Sequence, residues 1–269
     1  MKGGVAIVTG GGSGIGRALS IELAKRGAFV HVTDVNEKGA EATAKQIGAS
    51  AKHAALDVRD AGAVQRFCDA VGRVDYLFNN AGIPVGGEVQ DLTLAHWDRI
   101  IDINIRGVVH GVHAVYAGMV ARGSGHIVNT ASLAGLIPTP LGTPYGMTKH
   151  AVVGLSVSLR QEAAAYGVRV SALCPGVIET PILDSKGPED LPRPKWMPDT
   201  RDLLTRAAGS PYPAEKLASD ALDAVDDNVA VIVIPARARM TWRAYRLAPG
   251  LADSVSARMM VEARRTKPR

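Results

Sequence analysis

Ser132, Tyr145 and Lys149 have the residue types and the spacing of a proton-transfer site. Tyr145 and Lys149 lie four residues apart in a predicted helix, so their side chains share one helix face. Ser132 follows the strand-like run that precedes this helix. A phenol, with a pKa of about 10, is a poor base at neutral pH unless a nearby cation favours the phenolate, and Lys149 can supply that cation. The three residues therefore predict a site for acid/base chemistry, although a Tyr and a Lys four residues apart on one helix are also typical of a solvated pair.

A glycine-rich turn between the first predicted strand and the first predicted helix has the features of a dinucleotide-binding loop. Residues 9–16 read TGGGSGIG. Glycine here permits a tight turn, lets backbone amides approach a pyrophosphate and lets the helix pack closely on the sheet, with its positive N-terminus facing the phosphates. The residues predicted to bind the cofactor in this turn are Gly10, Gly12, Ser13, Gly14 and Gly16.

Asp34 ends the second predicted strand and bears on the choice between NAD and NADP. A carboxylate in this place can accept hydrogen bonds from the adenosine ribose and repels a 2′-phosphate, so NAD is the predicted cofactor and NADP is disfavoured. Arg17, just past the turn, is the one ambiguous cation. The alternative interpretation of Asp34 is the N-cap of the helix that follows.

Alternating apolar runs and helical patterns indicate the strands and helices that bring these residues together. Most of the strand-like runs are too continuously hydrophobic to have a wet face, which is typical of a parallel sheet covered by helices on both sides. We therefore expect a doubly wound Rossmann-type α/β fold with ligands beyond the carboxyl ends of the strands. The predicted strands are residues 5–9, 29–33, 54–58, 74–78, 125–131, 168–173 and 229–234, with one long helical stretch at 97–119.

In order and spacing, these motifs resemble the short-chain dehydrogenase/reductase family over residues 4–182. The residues that carry the resemblance are the 9–16 turn, the NNAG sequence at 79–82, Asn104, Ser132, Tyr145, Lys149, Pro175 and Gly176. The resemblance implies that Tyr145 is the general acid/base and that Lys149 lowers its pKa and holds the nicotinamide ribose. It also implies that Ser132 binds the substrate oxygen and that Asn104 holds a water of a proton relay.

The resemblance further implies cofactor contacts along the whole crevice. The adenosine half would be bordered by Asp57, Val58, Asn80, Ala81 and Gly82, the pyrophosphate by Ile15, and the nicotinamide end by Pro175, Gly176, Val177 and Thr180. No metal site is predicted, because the seven histidines show no grouping typical of metal ligands.

Length and charge restrict the classes of partner. At 269 residues and 46% hydrophobic composition, the chain suits one large domain. After Pro235 nine Lys and Arg stand against Asp253 and Glu262, so this tail carries +7 while the rest carries −2. A core of that charge argues against a nucleic-acid partner. Two cysteines in apolar runs, with no apolar leader or spanning segment, lead us to expect a cytoplasmic protein.

The predicted organisation is a catalytic domain at 1–235, containing a Pro-rich substrate lid at about 179–210, and a basic helical extension at 236–269. The extension departs from the family pattern. In it Met240, Ala244 and Leu247 recur at helical spacing beside a row of arginines. It is interpreted either as a peripheral contact with an anionic membrane or as a cap on the cleft or a subunit contact. We expect a homo-oligomer, either a dimer or a tetramer.

The predicted function is NAD-dependent interconversion of a secondary alcohol and a ketone, on a small and fairly apolar substrate such as a steroid or a lipid. One alternative is an NADPH-dependent carbonyl or ketoacyl reductase, which Asp34 argues against. The other is a non-catalytic module that senses nicotinamide redox state, which would have no need of the Ser132, Tyr145 and Lys149 set.

Overall fold

The central sheet confirms the predicted fold class. The structure, a computed structural model, describes residues 1–265 and 267; residues 266, 268 and 269 of the predicted extension lie outside the described part. Seven parallel strands form the sheet, and they are β1 Val5–Thr9, β2 Phe29–Asp34, β3 Ala51–Ala55, β4 Tyr76–Asn79, β5 Gly125–Thr130, β6 Val168–Pro175 and β9 Val231–Ile234. Their order in the sheet is β3-β2-β1-β4-β5-β6-β9, so the chain reverses its direction of winding between β3 and β4. The crevice at the carboxyl ends of β1 and β4 is where this topology binds ligands.

Helices cover both faces of the sheet, because nearly all of its strands are apolar on both sides. The helices are α1 Gly14–Lys25, α2 Glu37–Ile47, α3 Ala61–Val71, α4 Leu94–Ile101, α5 Gly107–Arg122, α6 Thr143–Ala164, α7 Thr200–Ala208, α8 Ala214–Asp226, α9 Ala236–Leu247 and α10 Pro249–Arg264. One buried cluster joins the sheet to α1, α2 and α8, and a second joins it to α3, α5 and α6.

The third strand was predicted three residues too late. β3 spans Ala51–Ala55 rather than 54–58, and Ala55 pairs with Asp34 at its end. It is an edge strand with exposed side chains, so it lacks the continuous apolar run that the other strands show. Asp57 and Val58 consequently lie in the turn before α3, whose N-cap is Asp60.

The single helix predicted at 97–119 is interrupted. A π-helical turn at Asp102–Arg106 separates α4 from α5. Such a turn shifts the helix register locally, which hydrophobic periodicity does not reveal, and it often occurs at functional sites. Here it contains Asn104, which is fully buried.

The predicted lid region contains more regular structure than the sequence indicates. A two-residue strand β7, Ile178–Glu179, pairs in parallel with β8, Tyr212–Pro213, and closes the region at its base. Between them lie a 3-10 turn at Pro181–Asp184, an irregular stretch and α7. Pairs of two residues are too short to leave a pattern in the sequence.

The extension after β9 is helical, as predicted. α9 packs through Ala238 and Trp242 on the buried cluster beside β9, and α10 follows it. Among residues 1–265 and 267 no helix is both long and apolar enough to cross a membrane.

Candidate active site

The structure brings Ser132, Tyr145 and Lys149 together where β5 ends and α6 begins. Tyr145 and Lys149 point inward from the first turns of α6, and Ser132 shares a hydrogen bond with the Tyr145 side chain. The Lys149 Nζ lies 5.5 Å from the centre of the Tyr145 ring. It donates to the Thr130 carbonyl at 2.9 Å, which fixes the buried ammonium against the last residue of β5. The sequence gives no signal for this backbone partner.

Burial has the largest effect on the pKa values of Tyr145 and Lys149. Burial raises the pKa of Tyr145, and the hydrogen bond with Ser132 acts in the opposite direction. Burial lowers the pKa of Lys149 to about 8. Transfer out of water disfavours the charged form of each group, which explains both directions. From the sequence, only the cation of Lys149 was expected to act on the phenol, and it would lower the pKa of Tyr145. The opposite effect of burial was not predicted.

Cys174 is a neighbour of this site that sequence reasoning did not connect with it. It is fully buried in β6, and burial raises the pKa of its thiol to about 12. The thiol is therefore neutral at physiological pH and adds no charge beside Lys149.

Asn104 is held on the same side of the crevice. Its Oδ1 accepts from the Ile83 amide at 2.9 Å, and its Nδ2 donates to the Ile83 carbonyl at 3.1 Å. The same Nδ2 lies 3.2 Å from the Thr148 Oγ1, which donates to the Tyr145 carbonyl. Gly82 is the residue between: a Cβ there would lie 3.2 Å from Asn104 Oδ1 and 3.4 Å from Lys149 Nζ.

The glycine turn forms a cradle that larger residues would fill. A Cβ at Gly16 would lie 2.1 Å from the Gly10 carbonyl oxygen and 2.5 Å from Asn80 Nδ2. Gly10 itself has φ of +64°, the left-handed region that favours glycine. The turn is tied to the loop after β4, because Thr9 Oγ1 accepts from the Asn80 and Ala81 amides at 3.0 and 3.1 Å.

The N-terminus of α1 beside this cradle fits a phosphate group. Ser13 is its N-cap residue but makes no side-chain capping hydrogen bond, and its first turn contains no acidic residue. The first amides of a helix are unsatisfied donors at the positive end of the helix dipole, so they favour an anion. Ile15 lies in the same turn and is half-buried.

Asp34 is positioned by the turn and leaves room for further hydrogen bonds. Its two oxygens accept from the Gly12 and Asn36 amides, each at 2.9 Å. A carboxylate has about four acceptor positions, so two of them stay open. The N-cap of α2 is Asn36, which accepts from the Gly39 amide at 3.2 Å. The alternative interpretation of Asp34 as that N-cap is therefore wrong.

Arg17, the ambiguous cation, is engaged within the protein. It donates to the Gly12 carbonyl and, at 3.1 Å, to Thr43 Oγ1. These bonds join the glycine turn to α2, which gives Arg17 a structural role.

Asp57 and Val58 lie beyond β3 at the adenine end of the predicted site. The Asp57 carboxylate is held by Arg59, whose guanidinium approaches to 2.6 Å and lowers the pKa of Asp57. The sequence did not predict this partner. Val58 is buried, and its carbonyl lies 2.8 Å from the His110 Nδ1.

The residues predicted at the nicotinamide end lie at and after the end of β6, and one of them contacts the glycine turn. Pro175 ends β6, and the Gly176 amide donates to the Ile234 carbonyl at 2.7 Å. A Cβ at Gly14 would lie 3.2 Å from the Thr180 Cβ. Val177 and Thr180 are buried. Thr180 thus lies directly against the 9–16 turn.

Helix α4 anchors the irregular part of the lid. Arg99 binds both carboxylate oxygens of Asp190, at 3.1 and 2.6 Å. The buried His96 lies 2.9 Å from the Pro192 carbonyl through Nε2, and its Nδ1 accepts from the Thr93 amide. That acceptor role assigns the ring proton to Nε2.

The end of the chain crosses to the loop after β4. The buried Glu88 carboxylate pairs with Arg264 Nε at 3.0 Å and with Lys267 Nζ at 2.5 Å. Lys267 also lies 5.6 Å from the centre of the buried Trp196 ring in the lid. Three segments that are distant in sequence therefore meet in this contact, which we term the C-terminal clasp.

Comparisons with known proteins identify the family of the chain. The short chain dehydrogenase family matches residues 4–190. Levodione reductase of Leifsonia aquatica is 38% identical over 191 residues, covering 67% of this chain and 72% of that protein. A short chain dehydrogenase/reductase of Burkholderia phymatum, solved with NAD, superposes with a TM-score of 0.84 at 32% identity, over 93% of this chain and 95% of that one.

A second solved structure is a 3-ketoacyl-(acyl-carrier-protein) reductase of Brucella melitensis, complexed with NADH. It superposes with a TM-score of 0.76 at 30% identity, over 87% of this chain and 97% of that one. The family match spans most of the chain, and the fold is shared almost throughout. The chain therefore belongs to the short chain dehydrogenase/reductase family and is an NAD(P)-dependent oxidoreductase.

Proposed function

We propose that the protein uses NAD to interconvert a secondary alcohol and a ketone, with Tyr145 as the general acid/base. The observation that carries this proposal is the placement of Ser132 and Tyr145 side by side, with the buried Lys149 next to them. This group lies at the strand ends that also position the glycine turn and Asp34.

The proposed proton transfer follows from the positions of these side chains. Ser132 and Tyr145 bind the substrate oxygen between them, and Tyr145 takes the hydroxyl proton during oxidation or gives a proton to the carbonyl oxygen during reduction. The nicotinamide cofactor, when bound, accepts or donates the hydride at the adjacent carbon. Holding the reacting groups in line supplies much of the rate.

Lys149 has two proposed tasks. Its ammonium stabilises the phenolate, and two of its three donors stay available for ribose hydroxyls because only one is used by Thr130. Asn104 is proposed to hold a relay water on the Lys149 side. Its Oδ1 accepts one backbone hydrogen bond and keeps a second acceptor position.

The apolar side chains of the lid support the proposal that the substrate is apolar. Leu183 and Trp196 are buried, and Met197 packs against Gly86 so closely that a Cβ there would lie 2.8 Å from its Cε. A cleft covered by such side chains favours ligands with apolar bodies, such as steroids or long-chain hydroxy compounds.

We further propose a homo-oligomer, a dimer or a tetramer, in the cytoplasm. Val109 on α5 and Met147 on α6 are exposed on the outward faces of these helices, which supports contact with another copy. Light scattering coupled to size exclusion would measure the number of copies.

Asp34→Ala is expected to reduce the preference for NAD over NADP at least tenfold, measured as the ratio of kcat/KM values. The variant loses both the acceptor for the ribose hydroxyls and the charge that repels a 2′-phosphate. Asp34→Asn is the matched control, since it removes the charge and keeps an acceptor for the Gly12 amide. An unchanged ratio in both variants would show that Asp34 does not select the cofactor.

Glu88→Gln is expected to open the C-terminal clasp. The neutral amide cannot pair with both Arg264 and Lys267, so we expect trypsin to cleave at Arg264 and Arg265 about tenfold faster. The control is Glu189→Gln, an exposed lid acid. Equal cleavage rates in the wild type and Glu88→Gln would contradict the clasp.

A further inference from the structure

Helix α9 is apolar on two opposite faces. Ala238, Trp242 and Tyr245 face the protein, with Ala238 buried and the two aromatic residues half-buried. At about 100° per residue, Met240 and Leu247 point almost directly away from that face. They are 69% and 87% exposed, which places both at the outermost line of the helix. Packing within the chain explains the first face and leaves the second unexplained.

A row of arginines borders the outward apolar face on one side. Arg239, Arg243 and Arg246 are exposed and follow one another at helical spacing. Arg246 is stacked near the Trp242 ring at 5.6 Å, and none of the three is paired with an acid among residues 1–265 and 267. This part of the chain also carries the excess positive charge, since the sequence before it has a net charge of −2.

We propose that α9 docks on an anionic lipid surface, with Met240, Ala244 and Leu247 inserted between headgroups and the arginine row against lipid phosphates. An apolar line flanked by cations is the arrangement that such an interface selects. The outward face, which we term the α9 docking face, consists of Arg239, Met240, Arg243, Ala244, Arg246 and Leu247.

Charge complementarity favours a lipid surface over a second copy of the chain. A symmetric dimer formed through the α9 docking face would bring two sets of three arginines into one interface without acids between them. Nucleic acid would use the arginines but gives no reason for Met240 and Leu247 to be exposed. The proposal is independent of the proposed function, since no residue of the docking face belongs to the Tyr145 site.

Co-sedimentation of the full chain with vesicles tests the proposal. We expect binding to phosphatidylcholine vesicles that contain phosphatidylglycerol, much weaker binding to phosphatidylcholine alone, and loss of binding at high salt. Replacing Arg239, Arg243 and Arg246 together with Gln should lower the partition coefficient on the order of 100-fold. Its control replaces three exposed cations elsewhere, Lys52, Arg66 and Arg169, with Gln.

Leu247→Ser tests the apolar part and should lower the partition coefficient roughly tenfold. Leu94→Ser is the matched control, because Leu94 is 80% exposed on α4. Tyr145→Phe should bind vesicles like the wild type. The proposal is overturned if the chain does not sediment, if neutral vesicles bind it equally, or if the control variants lose as much binding. It is also overturned if Leu247→Ser lowers the oligomer mass, which would assign the face to another copy.

Discussion

Tyr145→Phe is expected to lower kcat for NAD reduction by a secondary alcohol about 10³-fold. The variant keeps the ring that fills the space beside Lys149 but cannot exchange a proton with the substrate oxygen, and general acid/base groups contribute on this scale. NAD affinity, measured by calorimetry, should change little, because the cradle at residues 9–16 and Asp34 is untouched.

The control for this experiment is Tyr166→Phe. Tyr166 is 53% exposed just after α6 and lies outside the proposed site. It should retain wild-type kcat. If Tyr145→Phe were as active as Tyr166→Phe, Tyr145 would have no part in the chemistry and the proposed function would fail.

Lys149→Met is expected to lower activity while it raises the stability of the fold. Activity should fall about 10³-fold, since the phenolate loses its neighbouring cation. The free energy of unfolding at pH 7 should rise by about 2 kcal/mol. Burial lowers the pKa of Lys149 from 10.5 to about 8, which corresponds to roughly 3 kcal/mol of unfavourable burial, less about 1 kcal/mol for the lost hydrogen bond to Thr130.

The pH dependence of that difference gives an internal check. The unfolded chain holds this proton up to about pH 10.5, whereas the folded protein releases it near pH 8. The free-energy cost of burying the ammonium is therefore complete below pH 8 and falls as pH rises toward 10.5. Across that pH range, the wild type becomes more stable as the pH increases. Urea unfolding should show a smaller difference between the two proteins at pH 10 than at pH 7. If Lys149→Met were less stable than the wild type at pH 7, or if the difference in unfolding free energy did not change with pH, the proposed cost of burying the ammonium would be wrong.

The sequence predicts the candidate site in more detail than it predicts the bounds of the surrounding strands and helices. Tyr145 and Lys149 lie close together because residues four apart share one face of an α-helix. The glycine turn can be recognised in the sequence because side chains larger than that of glycine would not fit its geometry. Both signals are local in the sequence. The fold class followed from the same kind of evidence, since continuous apolar runs indicate strands that are buried on both faces.

What the sequence could not predict depends on contacts between distant residues. β3 is an edge strand without an apolar run, and the π-helical turn at Asp102–Arg106 has no periodicity of its own. The raised pKa of Tyr145 results from burial, which only the packed structure determines. In the C-terminal clasp, Glu88 pairs with Arg264 and Lys267, which follow it in the sequence by 176 and 179 positions. No local pattern could therefore indicate this contact.

The pH profile of kcat/KM for alcohol oxidation is the most direct test of proton transfer by Tyr145. The alcohol would be taken from a panel that includes steroids and long-chain hydroxy compounds, with reduced cofactor followed by its absorbance. We expect wild-type kcat/KM to rise with pH through an ionisation that is missing from the residual activity of Tyr145→Phe. The same ionisation in both proteins would mean that another group carries the proton.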